Sequence, residues 1–267
     1  MSSPRRTALI TGASAGIGEV FAEAYARRGH DLILTARRAD RLQALAGKLA
    51  AAHGITATVL AADLADPAAP EALWREIEAR GLQVDVLVNN AGYGLDAPFS
   101  EHGWPAHRDF IQVMMTACMH LAHLALPDMR ARGYGRIVNV ASLAAYMPGS
   151  YGHTLYGASK AFLLKASQSL SIETEGTGIH VTALCPGFTW SEFHDANGTR
   201  AQMNAIPRWM WMDARPVVEA AIAGVETGEP LVVPGRVNRM LAWLSRHLPQ
   251  KTVFNLSRNR SDRRPKR

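Results

Sequence analysis

The chain has 267 residues, 48% of them hydrophobic, with 29 Lys and Arg against 23 Asp and Glu and a formal net charge of +6 at pH 7. That length suits one α/β unit with a sizeable core, and two cysteines, Cys118 and Cys185, rule out a readable disulfide framework. The positive charge argues against a nucleic-acid-binding face, because residues 258–267 hold six cations and one anion, a net of +5, leaving about +1 on the other 257 residues.

In chain order, residues 7–10 read as a short buried strand that runs into Thr11-Gly12-Ala13-Ser14-Ala15-Gly16-Ile17-Gly18. An alanine-rich helical pattern with Val20, Phe21, Ala24 and Tyr25 follows. Strand, glycine turn and helix together make the context of a dinucleotide-binding loop, because the glycines allow close backbone approach and the helix N-terminus offers unpaired N–H groups. A plain tight connection is the alternative. Short apolar runs at 32–35, 58–62, 84–89, 137–142, 180–184 and 231–233 alternate with helical stretches at 16–29, 38–53, 67–80, 105–132, 153–176 and 214–227. Apolar runs of this length suit strands covered on both faces. The expected fold is a doubly wound, Rossmann-type parallel sheet with helices on both faces, one domain over residues 1–257, and a basic, disordered tail from 258.

After the last strand, a helix over about 236–248 carries Val237, Leu241, Leu244 and Leu248 at helical spacing, with Met240 and Trp243 beside the stripe and Arg239 and Arg246 off it. Packing against the core or a neighbouring subunit is the expectation, and peripheral contact with an anionic membrane is the alternative. The N-terminus shows no signal-peptide pattern and no apolar run reaches membrane-spanning length, so a cytoplasmic protein is expected.

Tyr156 and Lys160 stand four residues apart, which on a helix places both side chains on one face. A phenol beside an ammonium has its anion stabilised, so its pKa is expected to fall from about 10 toward working pH. Ser142, at the end of the 137–142 strand, is positioned to hold the oxygen that such a phenol would protonate.

These residues together resemble the short-chain dehydrogenase/reductase family. The match rests on Thr11-Gly12-x3-Gly16-Ile17-Gly18, Asn89-Asn90-Ala91-Gly92, Ser142, Tyr156-x3-Lys160 and Pro186-Gly187, in the family's order across roughly residues 7–193. The resemblance implies a nicotinamide cofactor and hydride transfer between a carbonyl and an alcohol. It makes Tyr156 the general acid or base, while Lys160 lowers the phenol's pKa and binds the nicotinamide ribose. Ser142 orients the substrate oxygen. It assigns Gly12, Ser14, Ala15, Gly16, Ile17 and Gly18 to the cofactor's phosphates, Asp63 and Leu64 to the adenine, and Asn89, Asn90, Ala91 and Gly92 to the ribose side. Pro186, Gly187, Thr189 and Ser191 match the loop that orients the carboxamide, with Ser191 where a Thr is usual. Where related NAD enzymes carry Asp, this chain has Ala36, followed by Arg37 and Arg38, which suits the 2′-phosphate of NADP(H). The alternative is that both arginines only begin an exposed helix.

Two departures stand out. The interval from Ser142 to Tyr156 is one residue longer than usual, and Met114 occupies the position of an Asn that normally holds a relay water. A thioether accepts only weakly, so an interrupted proton relay is expected.

Residues 188–212 match the family's variable substrate loop and hold Phe188, Trp190, Phe193, Trp209, Met210, Trp211 and Met212. They suit a bulky apolar or aromatic carbonyl or alcohol substrate, or else the packing of a lid or subunit contact. His120, His123, His153 and His194 lack ligand-spaced partners, so no metal is expected. An NADP-dependent oxidoreductase acting as a homodimer or homotetramer is the leading reading. A non-catalytic NADP-binding sensor or scaffold is the rival.

Overall fold

The structure is a computed structural model describing residues 5–95, 97–192 and 206–260. Seven parallel strands form the central sheet: β1 (Thr7–Thr11), β2 (Asp31–Thr35), β3 (Ala57–Val59), β4 (Val86–Asn89), β5 (Gly135–Val140), β6 (Ile179–Leu184) and β9 (Leu231–Val232). Their spatial order is β3-β2-β1-β4-β5-β6-β9. The chain builds outward from β1 through β3, then returns to add β4 on the other side of β1. That reversal opens a crevice beyond the C-terminal ends of β1 and β4, where open α/β sheets bind ligands.

Period-two alternation explains why the strands read as continuous apolar runs. Ala8, Ile10, Leu32, Leu34, Val86 and Val88 pack on one face with α1 (Gly16–Arg27), α2 (Ala39–His53) and α7 (Ala214–Thr227). The intervening Leu9, Ile33, Leu87, Ile137 and Val181 pack on the other face with α3 (Ala69–Ala79) and α5 (Ala117–Arg132). Both faces are buried, so neither set of alternating positions needs to be polar. Leu163 and Leu164 of α6 (Thr154–Glu173) join Cys118, Ala183 and Cys185 in a smaller cluster behind the site.

One expectation needs correction. The helix α4 (Trp104–Ile111) runs through a π-turn, Gln112–Thr116, into α5, making a continuous 29-residue helix, Trp104–Arg132, that is long and apolar enough to cross a membrane. Its apolarity serves the core, since Leu121, Ala122, Ala125 and Met129 are at most 1% exposed against the sheet.

The structure adds elements that the chain's pattern does not announce. A two-stranded parallel ribbon pairs β7 (Phe188–Trp190) with β8 (Trp211–Asp213). Beyond α8 (Arg236–His247) lies α9 (Gln250–Arg260), which runs past residue 258. The rest of the tail, 261–267, lies outside the described residues. In α8 the stripe is also rotated from expectation, because Asn238 and Ala242 are the most buried positions while Val237, Leu241 and Leu244 are only half-buried.

Candidate active site

The glycine turn between β1 and α1 is shaped by contacts that no side chain would tolerate. Gly12 and Gly16 have φ of 65° and 61°, in the left-handed region. A Cβ on Gly18 would stand 2.3 Å from the Gly12 carbonyl oxygen. The turn is tied to the end of β4, where the Thr11 hydroxyl accepts from the N–H groups of Asn90 and Ala91, each at 2.9 Å. Asn90 Nδ2 donates back to the Thr11 carbonyl at 2.9 Å. Ala15 caps α1 without a side-chain hydrogen bond, leaving the first-turn N–H groups available. This cradle of exposed N–H groups at a helix N-terminus fits a dinucleotide pyrophosphate.

Asn89 faces elsewhere. It is 1% exposed, and its amide donates to the Cys118 carbonyl at 3.0 Å and to Asn139 Oδ1 at 2.8 Å, bracing β4 against α5 and β5. Asn139 in turn donates to Ser167 Oγ at 2.9 Å. Asn89 thus holds the sheet behind the cleft, while Asn90, Ala91 and Gly92 are half-buried at its wall.

At the far end of the crevice, Ala36 is followed by exposed Arg37 and Arg38. Arg38 Nη2 donates to Ser14 Oγ at 3.0 Å, joining the end of β2 to the glycine turn. Arg41, which the sequence reading passed over, pairs with Glu192 at 2.7 Å, and Arg38 lies 3.8 Å from the same carboxylate. Asp63 is exposed and caps its own turn, accepting from Ala65 N–H at 3.1 Å, with Leu64 buried behind it.

The catalytic candidates converge from β5 and α6. Ser142 follows β5, and its Oγ accepts from Ala144 N–H at 3.1 Å at the head of a short 3-10 turn, Leu143–Ala145. Tyr156 and Lys160 occupy the first two turns of α6. Lys160 is 5% exposed, and its Nζ donates to the Val140 carbonyl at 2.8 Å, 5.8 Å from the centre of the Tyr156 ring. Burial pulls the Lys160 pKa down to about 8, opposed by the neighbouring Cys118 and Cys185. Burial also raises the Tyr156 pKa, against a hydrogen bond with Ser142 that lowers it. The expected depression of the phenol by Lys160 is therefore not found in the protein alone. Desolvation of the phenol outweighs its hydrogen bond with Ser142.

Met114 is fully buried in the π-turn, and its Sδ would stand 2.9 Å from a Cβ placed on Gly92. The Ala117 N–H bonds to the Gln112 carbonyl, so the helical ladder slips by one residue at this point. π-turns of this kind are frequent at functional sites, and sequence patterns do not reveal this one.

The loop after β6 closes over this site. The Leu143 N–H donates to the Pro186 carbonyl at 2.8 Å, and Thr189 Oγ1 donates to the Gly187 carbonyl at 3.1 Å. Ser191 approaches the glycine turn, with its Cβ 3.1 Å from a Cβ placed on Gly16. Asn238 of α8 supports Gly187, where an added Cβ would lie 2.3 Å from Asn238 Oδ1.

The aromatic cluster divides. Trp190 stacks on Trp211 at 4.1 Å and 19°, Trp211 is 8% exposed, and Met212 packs against the core, so these residues hold the β7–β8 ribbon. Trp209 is 68% exposed, while Phe193 and His194 lie outside the described residues.

The short chain dehydrogenase family profile matches residues 6–201. An uncharacterized oxidoreductase of Myxococcus xanthus is 34% identical over 243 residues, covering 88% of this chain and 92% of its own. A short-chain dehydrogenase from Sphingobium yanoikuyae, solved in complex with NADPH, is 33% identical with a TM-score of 0.79 over 98% of both chains. The bulky-bulky ketone specific alcohol dehydrogenase from Comamonas testosteroni is 31% identical with a TM-score of 0.76, covering 93% of this chain and 96% of that one. With the glycine cradle, the Ser142, Tyr156 and Lys160 constellation and these likenesses in hand, the chain belongs to the short-chain dehydrogenase family.

Proposed function

We propose that this chain is an NADPH-dependent carbonyl reductase acting on a bulky apolar ketone. The observation that carries this reading is the convergence of Ser142, at the end of β5, with Tyr156 and Lys160 on the first turns of α6, where Lys160 Nζ is held by the Val140 carbonyl at 2.8 Å. Ser142 Oγ holds the substrate oxygen, and Tyr156 transfers its proton to that oxygen as negative charge develops on it. Lys160, in contact with the Val140 carbonyl, replenishes the phenol's proton. The glycine turn holds the cofactor's phosphates, and Arg37 and Arg38 receive the 2′-phosphate. When bound, NADPH supplies the hydride.

The Sphingobium relative's complex with NADPH and the Comamonas relative's ketone preference support this assignment. The reacting set Ser142, Tyr156 and Lys160 is complete, which favours an enzyme over a cofactor-binding scaffold. A cytoplasmic homodimer or homotetramer is the assembly we propose, because Phe162 and Ile172 on α6 are 38% and 73% exposed and are apolar surface that a second copy would cover.

The test is NADPH oxidation over a panel of aryl and branched-alkyl ketones, run beside small aldehydes and polar hydroxy acids. Turnover confined to the polar substrates overturns the apolar reading. Cofactor choice is checked by binding, where NADPH is expected at least about tenfold tighter than NADH, or about 1.4 kcal/mol. Arg37→Asp is expected to abolish that preference.

A further inference from the structure

The C-terminal segment is electrically distinct from the rest of the chain. Residues 236–267 hold eight arginines and two lysines against Asp262 alone, a net of +9, which leaves −3 on residues 1–235. The fold body is thus mildly acidic, and the whole positive charge of the protein belongs to α8, α9 and the residues that follow.

The geometry gives this segment two unlike sides. Inward, α8 seats Asn238 and Ala242, at 3% and 5% exposure. It is held to the stretch after Ser142 by Ser245, whose hydroxyl donates to the Tyr146 carbonyl, and by the Arg246 guanidinium, 4.4 Å over the Tyr146 ring. Outward, Met240 and Trp243 are 54% and 57% exposed. Leu248 follows them at 39%, while Phe254 of α9, 53% exposed, borders a groove with Tyr146, Met147 and Ser245. Arg239 and His247 flank Trp243 one helical turn to either side, and the indole stacks on the imidazole at 4.4 Å. Lys251 and Arg258 are exposed along α9.

We propose that this outward face of α8 and α9 docks the protein on an anionic lipid surface. Trp243 and Met240 enter the interfacial layer with Leu248 beside them, while the exposed arginines and lysines engage the headgroups. Trp suits that layer because its ring is apolar and its indole N–H still finds a polar partner. The opposite sign of residues 1–235 orients the molecule, turning the acidic body away from the negative surface and the C-terminal face toward it. A second copy fits this face poorly, since a two-fold contact sets the same basic patch against itself. A nucleic acid would answer the cations but leave Met240 and Leu248 in water.

The test uses the full chain and sedimentation with vesicles, one set of phosphatidylcholine and one containing about 30% phosphatidylserine. Binding to the anionic vesicles is expected to be at least about tenfold tighter, and to weaken as salt shortens the range of the charges. Trp243→Ser combined with Met240→Ser is expected to lower the partition at least about tenfold, while NADPH binding, read by fluorescence, stays at the wild-type value and shows the variant to be folded. Arg239→Gln with Lys251→Gln is expected to lower it less, and only at low salt. Equal binding to both vesicle types, or no binding to either, overturns the proposal. So does a variant that binds as well as wild type, a serine pair whose only effect is to dissociate an oligomer, or duplex DNA bound more tightly than the anionic vesicles.

Discussion

The two ends of the crevice hold cations of equal formal charge in opposite surroundings. At the β5 and α6 end, Lys160 is 5% exposed and its pKa is drawn down to about 8 by burial. At the β2 end, Arg37, Arg38 and Arg41 stand exposed in water. Desolvation makes the buried ammonium a group that can change its protonation state near working pH, which chemistry requires. The exposed guanidinium groups, planar and rich in donors, suit recognition of an anion. Burial, rather than the sign of the charge, separates the two roles.

Four perturbations would break or sharpen that contrast. The largest effect is expected at the buried end, where Tyr156→Phe should lower turnover by about 10²–10⁴-fold while sparing NADPH affinity, because it removes the transferable proton and little else. A ketone-reduction assay beside a cofactor titration decides it, and a variant as fast as wild type would sink the mechanism.

Lys160 offers a stability test with a defined sign. Its folded pKa of about 8 lies below the 10.5 of an unperturbed lysine, so between those values the unfolded chain binds the proton more tightly. Stability therefore rises with pH across that window, by at most about 3 kcal/mol. Below about pH 8 the cost of burying the charge is fully present. Urea denaturation of wild type and Lys160→Met at pH 7 and pH 10 should show the wild type gaining on the variant at the higher pH. A constant difference would mean that the ammonium is better solvated than its position implies.

Met114→Asn places an amide in a fully buried site and is expected to cost about 1–3 kcal/mol of stability, read from thermal melts. Its effect on kcat is read against the roughly 10²-fold that a positioned proton-transfer group is worth. A large gain in kcat would show that the relay is indeed interrupted in the natural chain.

The smallest effect belongs to the exposed end. The Glu192 carboxylate pairs with Arg41 at 2.7 Å and lies 3.8 Å from Arg38, where it competes with a phosphate for the same guanidinium groups. Glu192→Gln is expected to tighten NADPH binding by up to about fivefold, with NADH unaffected, since an exposed ion pair is worth roughly 0.2–1 kcal/mol. Salt should erase the gain.

Much of this was legible in the chain itself. Strands buried on both faces write unbroken apolar runs, helices write a 3.6-residue period, and the backbone needs of the turn at Gly12, Gly16 and Gly18 allow few other residues. Tyr156 and Lys160 share a helix face because four residues make about one turn. These are local facts, set by spacing along the chain. What packing decided is non-local. Asn89 matched a cofactor-lining motif yet spends its amide on Asn139, fifty residues away, and Arg41 meets Glu192 across 151 residues. The π-turn around Met114 and the short β7–β8 ribbon carry no periodic signature. The direction of the Tyr156 shift was also out of reach, since spacing places a lysine beside a phenol but does not state how much water the surrounding elements remove. Desolvation is summed over everything that packs around a group, and only the tertiary structure performs that sum.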